Sequence, residues 1–159
     1  MLPLPRIAVR ADIDAVVELC GRYANASHCP HSPDGFDRDA ARECLAELVH
    51  DDRFGIVWVA ERGEEIVGYL LLTWGYSLES GGRDALVDEI YVEPRDQGIG
   101  SMLVEAAVAE CVRRGIRRLF LETELENGDA RRLYVRHGFA PEDSIWMSRW
   151  ISPDRPIRR

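Results

Sequence analysis

The hydrophobic pattern of residues 86–113 changes period halfway along, and no other feature constrains the fold as much. Residues 86–92 form an apolar-rich extended run. Residues 94–100 are polar and carry Gly98 and Gly100. Residues 102–113 place Met102, Leu103, Ala106, Ala107, Val108, Ala109 and Val112 at helical spacing, and Gly115 follows as a natural helix terminator. A strand that enters a helix through a glycine-bearing turn requires an α/β architecture. It also sets the helix's first turn of unpaired amides at the strand's end.

That turn suits an anion. Gly98 and Gly100 let the backbone bend sharply and approach a ligand closely. The amides of Gln97, Gly98, Ile99, Gly100 and Ser101 and the helix dipole fit a pyrophosphate, with Arg95 adding charge. Spacing alone leaves a plain strand-to-helix turn equally open. The dinucleotide fingerprint G-x-G-x-x-G is absent.

The remaining pattern gives a short extended segment at 6–9, then a helix that Asp12 can cap, with Ala15, Val16, Leu19, Cys20 and Tyr23 on one face. Pro30, Pro33 and Gly35 make residues 26–36 a loop. Asp37 or Asp39 can cap a second helix bearing Ala40, Ala41, Cys44, Leu45, Leu48 and Val49. Residues 54–61 and 65–74 read as a hairpin around Gly63. Gly81 and Gly82 mark a further turn at 80–83. Residues 119–123 predict a strand, 129–137 a short helix ending at Gly138, and 145–151 a final strand with Trp146 and Trp150. Residues 152–159 read as a loose tail. The order β α α β β β α β α β describes one mixed α/β domain over residues 1–159, its central sheet mainly antiparallel and flanked by about four helices.

Composition narrows the chemistry. At 159 residues the chain can bury roughly 70% of its unfolded surface, enough for a core without disulfides or metal. All 20 basic residues are arginine. The absence of lysine excludes a phosphate-loop lysine, a Schiff-base lysine and a kinase-type lysine. The formal charge is −8, which argues against a nucleic-acid partner. Residues 1–94 hold 8 arginines against 18 acids, whereas residues 95–137 hold 8 against 7; the first part favours a cation and the second can hold an anion. No segment reads as a signal peptide or approaches the ~20 apolar residues of a membrane span. The four cysteines form no C-x-x-C pair, and the expectation is a cytoplasmic chain with reduced thiols and no membrane partner. His28, Cys29 and His31 are either a metal cluster or, with Pro30 among them and no fourth ligand evident, an incidental polar loop; the expectation is no metal.

Two blocks carry a resemblance. Arg95-x-x-Gly98-x-Gly100 after Glu89-Ile90-Tyr91-Val92 is similar to the coenzyme A pyrophosphate loop of the GNAT superfamily of N-acetyltransferases. Asn127-x-x-Ala130-x-x-Leu133-Tyr134-x-x-His137-Gly138-Phe139 resembles that family's later motif at the expected distance, and the element order fits over residues 6–151. Asp96 departs from the pattern, standing where the family often has glycine or a basic residue.

The resemblance implies acetyl-CoA as co-substrate and direct transfer of its acetyl group to a primary amine. The sequence agrees: it offers no G-x-S-x-G elbow for an acyl-enzyme. Ile90, Tyr91 and Val92 are expected to offer backbone groups to the thioester and its arm. Arg95, Asp96, Gln97, Gly98, Ile99, Gly100 and Ser101 flank the pyrophosphate, and Asn127 and Ala130 meet the pantetheine arm unless Asn127 caps the helix. Tyr134 matches the family's acid for the leaving thiolate, a phenol of pKa ~10; position alone equally allows a packing tyrosine. Asp88 and Glu89 are the candidates for taking the amine's proton or binding its ammonium, with a solvated structural pair as the alternative. Neighbours on a regular strand face opposite ways, so one of them reaches the site unless a bulge intervenes. Glu122 and Glu124 are weaker candidates.

Within the superfamily, residues 68–77 and 87–92 look most like diamine (spermidine/spermine) acetyltransferases, which carry an acidic pair at this strand position. Trp74 and Tyr76 could form an aromatic wall for an ammonium or be packing residues. The leading expectation is a small cationic amine as acceptor. A peptide or protein acetyltransferase and a non-catalytic acyl-CoA sensor are the alternatives. Trp146, Met147, Trp150 and Ile151 belong either to a homodimer interface or to the core.

Overall fold

Asp37 begins the second helix: its carboxylate accepts the backbone N–H groups of Asp39 and Ala40 at 3.1 and 3.0 Å, satisfying donors that a helix start leaves open. Asp12 does not cap the helix that follows it: its carboxylate turns back to accept the Val9 N–H at 2.7 Å, closing the 3-10 turn before α1, while Arg6 grips it at 2.7 and 2.9 Å. The computed structural model describes residues 3–26, 35–95, 97–149 and 151. Their order is β1 (Leu4–Ile7), a 3-10 turn (Arg10–Asp12), α1 (Ile13–Ala26), α2 (Arg38–His50), β2 (Gly55–Arg62), β3 (Glu65–Ser77), β4 (Gly82–Val92), α3 (Ile99–Arg113), β5 (Arg118–Leu121) and α4 (Gly128–Arg136). This is the expected mixed α/β fold, a five-stranded, mainly antiparallel sheet with four helices. The His28, Cys29 and His31 cluster lies outside the described residues, as does Asp96.

The sheet runs β1-β2-β3-β4-β5. The first three junctions are antiparallel and the last is parallel. Strand alternation sends successive side chains to two separate cores. On one face Val57, Val59, Tyr69 and Tyr91 pack with Val16, Val17 and Leu19 of α1 and Leu45 and Leu48 of α2. On the other, Leu70, Leu72, Ala85 and Val87 pack with Ile99, Leu103, Val104 and Ala107 of α3 and with Tyr134 of α4. Leu70, Leu72 and Leu103 are wholly buried, each worth about 1.5–3 kcal/mol relative to exposure.

β3 runs three residues longer than expected, to Ser77, β5 ends at Leu121 rather than at residue 123, and two larger differences bear on the site. β4 starts at Gly82, four residues before the apolar run, because Arg83 to Leu86 pair in register with Tyr76 to Thr73. The predicted final strand over 145–151 does not form: among its described residues, 145–149 and 151, none is in a strand. That segment is attached to β5 by side chains, not by a backbone ladder. Trp146 stacks on Phe120 with ring centroids 6.0 Å apart, and Arg118 holds Glu142 at 2.7 Å. Ile145, Met147 and Ile151 are left exposed. Alternating apolar residues make a strand only when an edge accepts their backbone, and β5 offers four residues.

Candidate active site

The acidic pair and the glycine turn are placed by β4. Its register against β3 slips once: Leu71 faces Glu89 and Leu72 faces Val87, so Asp88 is the extra residue of a β-bulge. Val87 and Ile90 both pack on the α3 side. The two residues between them are therefore free to occupy the α1–α2 side together, and both act electrostatically on Cys44 of α2. The bulge thus resolves the sequence ambiguity by bringing Asp88 and Glu89 to one face.

Their surroundings differ. Glu89 is half-buried; its Oε2 accepts a 2.8 Å hydrogen bond from the Tyr69 hydroxyl, and the Cys20 thiol lies 4.0 Å from the same oxygen. Burial raises the Glu89 pKa, the Tyr69 hydrogen bond opposes the rise, and the charge of Asp88 adds to it. Asp88 opens to solvent at its rim and takes no hydrogen bond from the described residues, yet the crowding chain pushes its pKa upward too.

The strand then changes its neighbours. β4 and β5 pair from Asp84↔Arg118 to Val87↔Leu121 and no further. From Asp88 onward β4 continues without β5, so the backbone of Ile90, Tyr91 and Val92 borders an open seam. The side chains of Ile90 and Val92 belong to the α3 core, and Tyr91 packs on Tyr23 with ring centroids 6.0 Å apart. Only the backbone of these three faces the seam.

At the far end of β4 the glycine turn starts α3. Gly98 is the N-cap, with φ +76°, a conformation that strongly favours glycine. No side chain among the described residues caps this helix, whereas Asp37 caps α2 and Asn127 caps α4. The first intrahelical bond runs from the Met102 N–H to the Gly98 carbonyl at 3.2 Å. The amides of Ile99, Gly100 and Ser101 are left without helical partners. Ile99's side chain is core, so only its backbone can serve a ligand. A Cβ on Gly100 would lie 3.2 Å from Leu133 Cδ2 of α4, so this glycine lets the two helices close on each other. Arg95 is exposed, and the Gln97 Oε1 accepts a 2.7 Å hydrogen bond from Arg62 at the end of β2.

α4 supplies the other wall. Asn127 Oδ1 accepts the Ala130 N–H at 3.3 Å, which decides the capping question in favour of Asn127; Asp129 pairs with Arg132 instead. Ala130's amide is used by that cap. The Tyr134 ring is 7% exposed and meets Phe139 edge-on at 5.9 Å. Its hydroxyl has no hydrogen-bond partner among the described residues. Burial first, and then the charge of Glu124, push its pKa up to about 12.

Trp74 is not available to a ligand. Its Nε1 donates to the Asp52 carbonyl at 2.7 Å, and Arg114 lies over its ring at 4.7 Å. Tyr76 is exposed beyond it. Sequence reading missed Tyr69 and Arg62. Tyr69 sits in an apolar run that reads only as core, and Arg62 is 35 positions from Gln97. Two surface hollows, one between α1 and the β2–β3 turn and one beside α2, include none of Asp88, Glu89 and Tyr134. No helix among the described residues is long and apolar enough to cross a membrane, and they hold no cluster of metal-ligating side chains.

Residues 20–139 match the acetyltransferase (GNAT) family, and the chain belongs to that family. It is 31% identical over 86 residues to YhfO of Bacillus subtilis (strain 168), an uncharacterized N-acetyltransferase. That match takes in 53% of this chain and 58% of the relative, so the chain spans little more than half the length of this curated relative. An integron cassette protein from the mobile metagenome of Cole Harbour Salt Marsh superposes with TM-score 0.79 at 27% identity, covering 94% of this chain and 91% of that one. A predicted acetyltransferase of Clostridium acetobutylicum, solved with acetyl-CoA, shares the fold with TM-score 0.77 at 19% identity, covering 94% and 96%.

Proposed function

We propose that the chain is an acetyl-CoA-dependent N-acetyltransferase that acetylates a primary amine of a small cationic acceptor, a polyamine or an amino-acid-like amine, as in the diamine acetyltransferase branch. The observation that carries this reading is the seam that opens after Val87↔Leu121, with uncapped amides at one end and paired carboxylates at the other. Acetyl-CoA fits these residues: among the described residues nothing lies within 4 Å of a Cβ built on Gly98, so a ligand can approach its backbone. Acetyl-CoA supplies the acetyl thioester. The neighbour from Clostridium acetobutylicum, which was solved with it, supports the same choice.

In this reading the amides of Gly98, Ile99, Gly100 and Ser101 and the helix dipole hold the pyrophosphate, with Arg95, Asp96 and Gln97 flanking it. Backbone groups of Ile90, Tyr91 and Val92 hold the pantetheine arm and polarise the thioester carbonyl. Asn127 keeps its side-chain NH2 free for the same arm, beside Ala130. Asp88 and Glu89 attract the ammonium, and one carboxylate accepts the proton that must leave before the nitrogen can attack. Nitrogen then bonds to the carbonyl carbon as the carbon–sulfur bond breaks. Tyr134, which keeps its proton at physiological pH, directs it to the sulfur. The nitrogen's second surplus proton returns to Tyr134 through water and the carboxylate's proton passes to solvent, leaving an N-alkyl acetamide and free thiol. Holding both reactants in one seam supplies several kcal/mol of the barrier.

The same reading takes residues 1–159 as one acyltransferase domain, cytoplasmic, without metal, nucleic acid or membrane; the free thiols of Cys20, Cys44 and Cys111 support a reducing compartment. The unpaired edge of β5 and the exposed Ile145, Met147 and Ile151 support a homodimer.

The test follows thiol release from acetyl-CoA with spermidine, diaminopropane, thialysine, an aminoglycoside and a short peptide. Release with one small cationic amine is the expected result. Release with the peptide alone would move the acceptor to proteins. No release, with acetyl-CoA still raising the melting temperature, would favour a non-catalytic sensor.

A further inference from the structure

Glu89 and Asp88 occupy one face of the bulge, but the fold treats them differently. Glu89 Oε2 is held from two other elements. The hydroxyl of Tyr69, on β3 and 1% exposed, donates to it at 2.8 Å, and the Cys20 thiol of α1 lies 4.0 Å away. Among the described residues Asp88 has no such partner, and it opens to solvent. Tyr69 and Glu89 sit nearly across from each other on adjacent strands: Tyr69 pairs with Tyr91, and Glu89 pairs with Leu71. Both project toward α1 and α2, so the hydrogen bond spans a diagonal of the ladder.

We infer that Tyr69 is a positioning residue: its buried hydroxyl locks Glu89 in place, so that Asp88, the extra residue of the bulge, is the carboxylate that meets the acceptor's ammonium. This rests on the acetyl-transfer reading and divides its acidic pair into a fixed member and a working one. The groups facing Glu89 are Asp88 on its own strand, Tyr69 from β3, Cys20 from α1 and Cys44 from α2. Among the described residues Tyr69 and Cys20 are the side chains placed to donate to it, and the thiol is the weaker donor. Removing the Tyr69 hydroxyl therefore removes the main stabilisation of ionised Glu89. Glu89 then holds a proton to higher pH, and the loss of its charge lets Asp88 ionise more readily.

Carbon-13 NMR titration of the side-chain carboxyls reads this without substrate, with Glu89→Gln and Asp88→Asn assigning the two signals. In Tyr69→Phe the Glu89 midpoint is expected to rise by at least half a pH unit and the Asp88 midpoint to fall or stay. A folded Tyr69→Phe protein with an unmoved Glu89 midpoint would overturn the inference, because a packing tyrosine would change only stability. Should Tyr69→Phe fail to fold, the protein made with 3-fluorotyrosine, a more acidic donor, is expected to shift the Glu89 midpoint downward; no shift would be equally fatal. With the amine found by thiol release, Asp88→Asn is expected to lower kcat/KM at least tenfold more than Glu89→Gln, and the reverse order would exchange the two assignments and defeat the proposal. If no amine is turned over, the titration still decides the role of Tyr69, so loss of the acetyl-transfer reading and loss of this inference remain separate results.

Discussion

Val87 and Leu121 form the last pair between β4 and β5, and the acidic pair Asp88 and Glu89 lies just beyond it. β4 continues for five residues after it, through Asp88 and Glu89 to Val92, and α3 starts at Ile99. One parallel junction that stops early therefore sets both the carboxylates and the anion site on a single strand.

Tyr134→Phe removes one oxygen from a buried ring and leaves its packing on Phe139 intact. Turnover is expected to fall about 100-fold in kcat, the scale of a lost proton donor, with KM for the amine within about twofold. Unchanged turnover across pH in the thiol-release assay would remove Tyr134 from the mechanism.

Gly98 and Gly100 are separable. Gly98→Ala forces a Cβ into φ +76° and is expected to cost about 1–2 kcal/mol of stability. Gly100→Val adds bulk where a bare Cβ already meets Leu133 at 3.2 Å, prising α3 from α4. Both are expected to reduce the rise in melting temperature that acetyl-CoA gives. A full rise in Gly100→Val would show that the α3–α4 contact does not shape the anion site.

Asp88 binds its proton more tightly folded than unfolded, since burial penalises its charge. It supports the fold below the ordinary carboxyl range and works against it as pH rises through the raised folded value. Asp88→Asn is expected to raise Tm at pH 8 and to leave Tm little changed near pH 4. Differential scanning calorimetry at the two pH values checks this, and a lowered Tm at pH 8 would contradict it.

Glu110 has the opposite sign. Arg113 and Arg114 bond to its buried carboxylate at 2.5 to 2.8 Å and hold its pKa at about 2, below the ordinary 4.5. Its contribution is present above pH 4.5 and is lost as pH falls toward 2. Glu110→Gln is expected to cost about 2 kcal/mol at pH 7, with the deficit closing in acid. Urea melts at pH 7 and pH 3 compare the two.

The element order as far as α4 and the glycine turn before α3 were legible because they rest on local chemistry: period changes, Gly98, and the Asp37 cap. Tyr134 and the acidic pair entered as candidates only through the family resemblance, which rests on residues that local pattern alone reads as packing or surface. What could not be read was non-local. The slip between Leu71 and Leu72 depends on how two strands align, and nothing near Asp88 marks it. Tyr69 looks like any core aromatic until its hydroxyl is seen beside Glu89. Trp74 reads as a free aromatic until Arg114, 40 residues on, is found over its ring. Residues 145–151 have a strand's alternation, but whether a strand forms depends on the edge that receives it.

The extra residue in β4 also works as a reading-frame insertion. Upstream of it the odd-numbered Ala85 and Val87 face α3, and downstream the even-numbered Ile90 and Val92 do. Deleting Asp88 would restore a single frame and turn one half of the strand inside out. Either Val87 or the Ile90–Val92 pair would then lie in the wrong core. The acidic pair is thus guarded by apolar neighbours that take no part in its chemistry, and a lineage that no longer needed the carboxylates would still be held to the length of the strand that carries them.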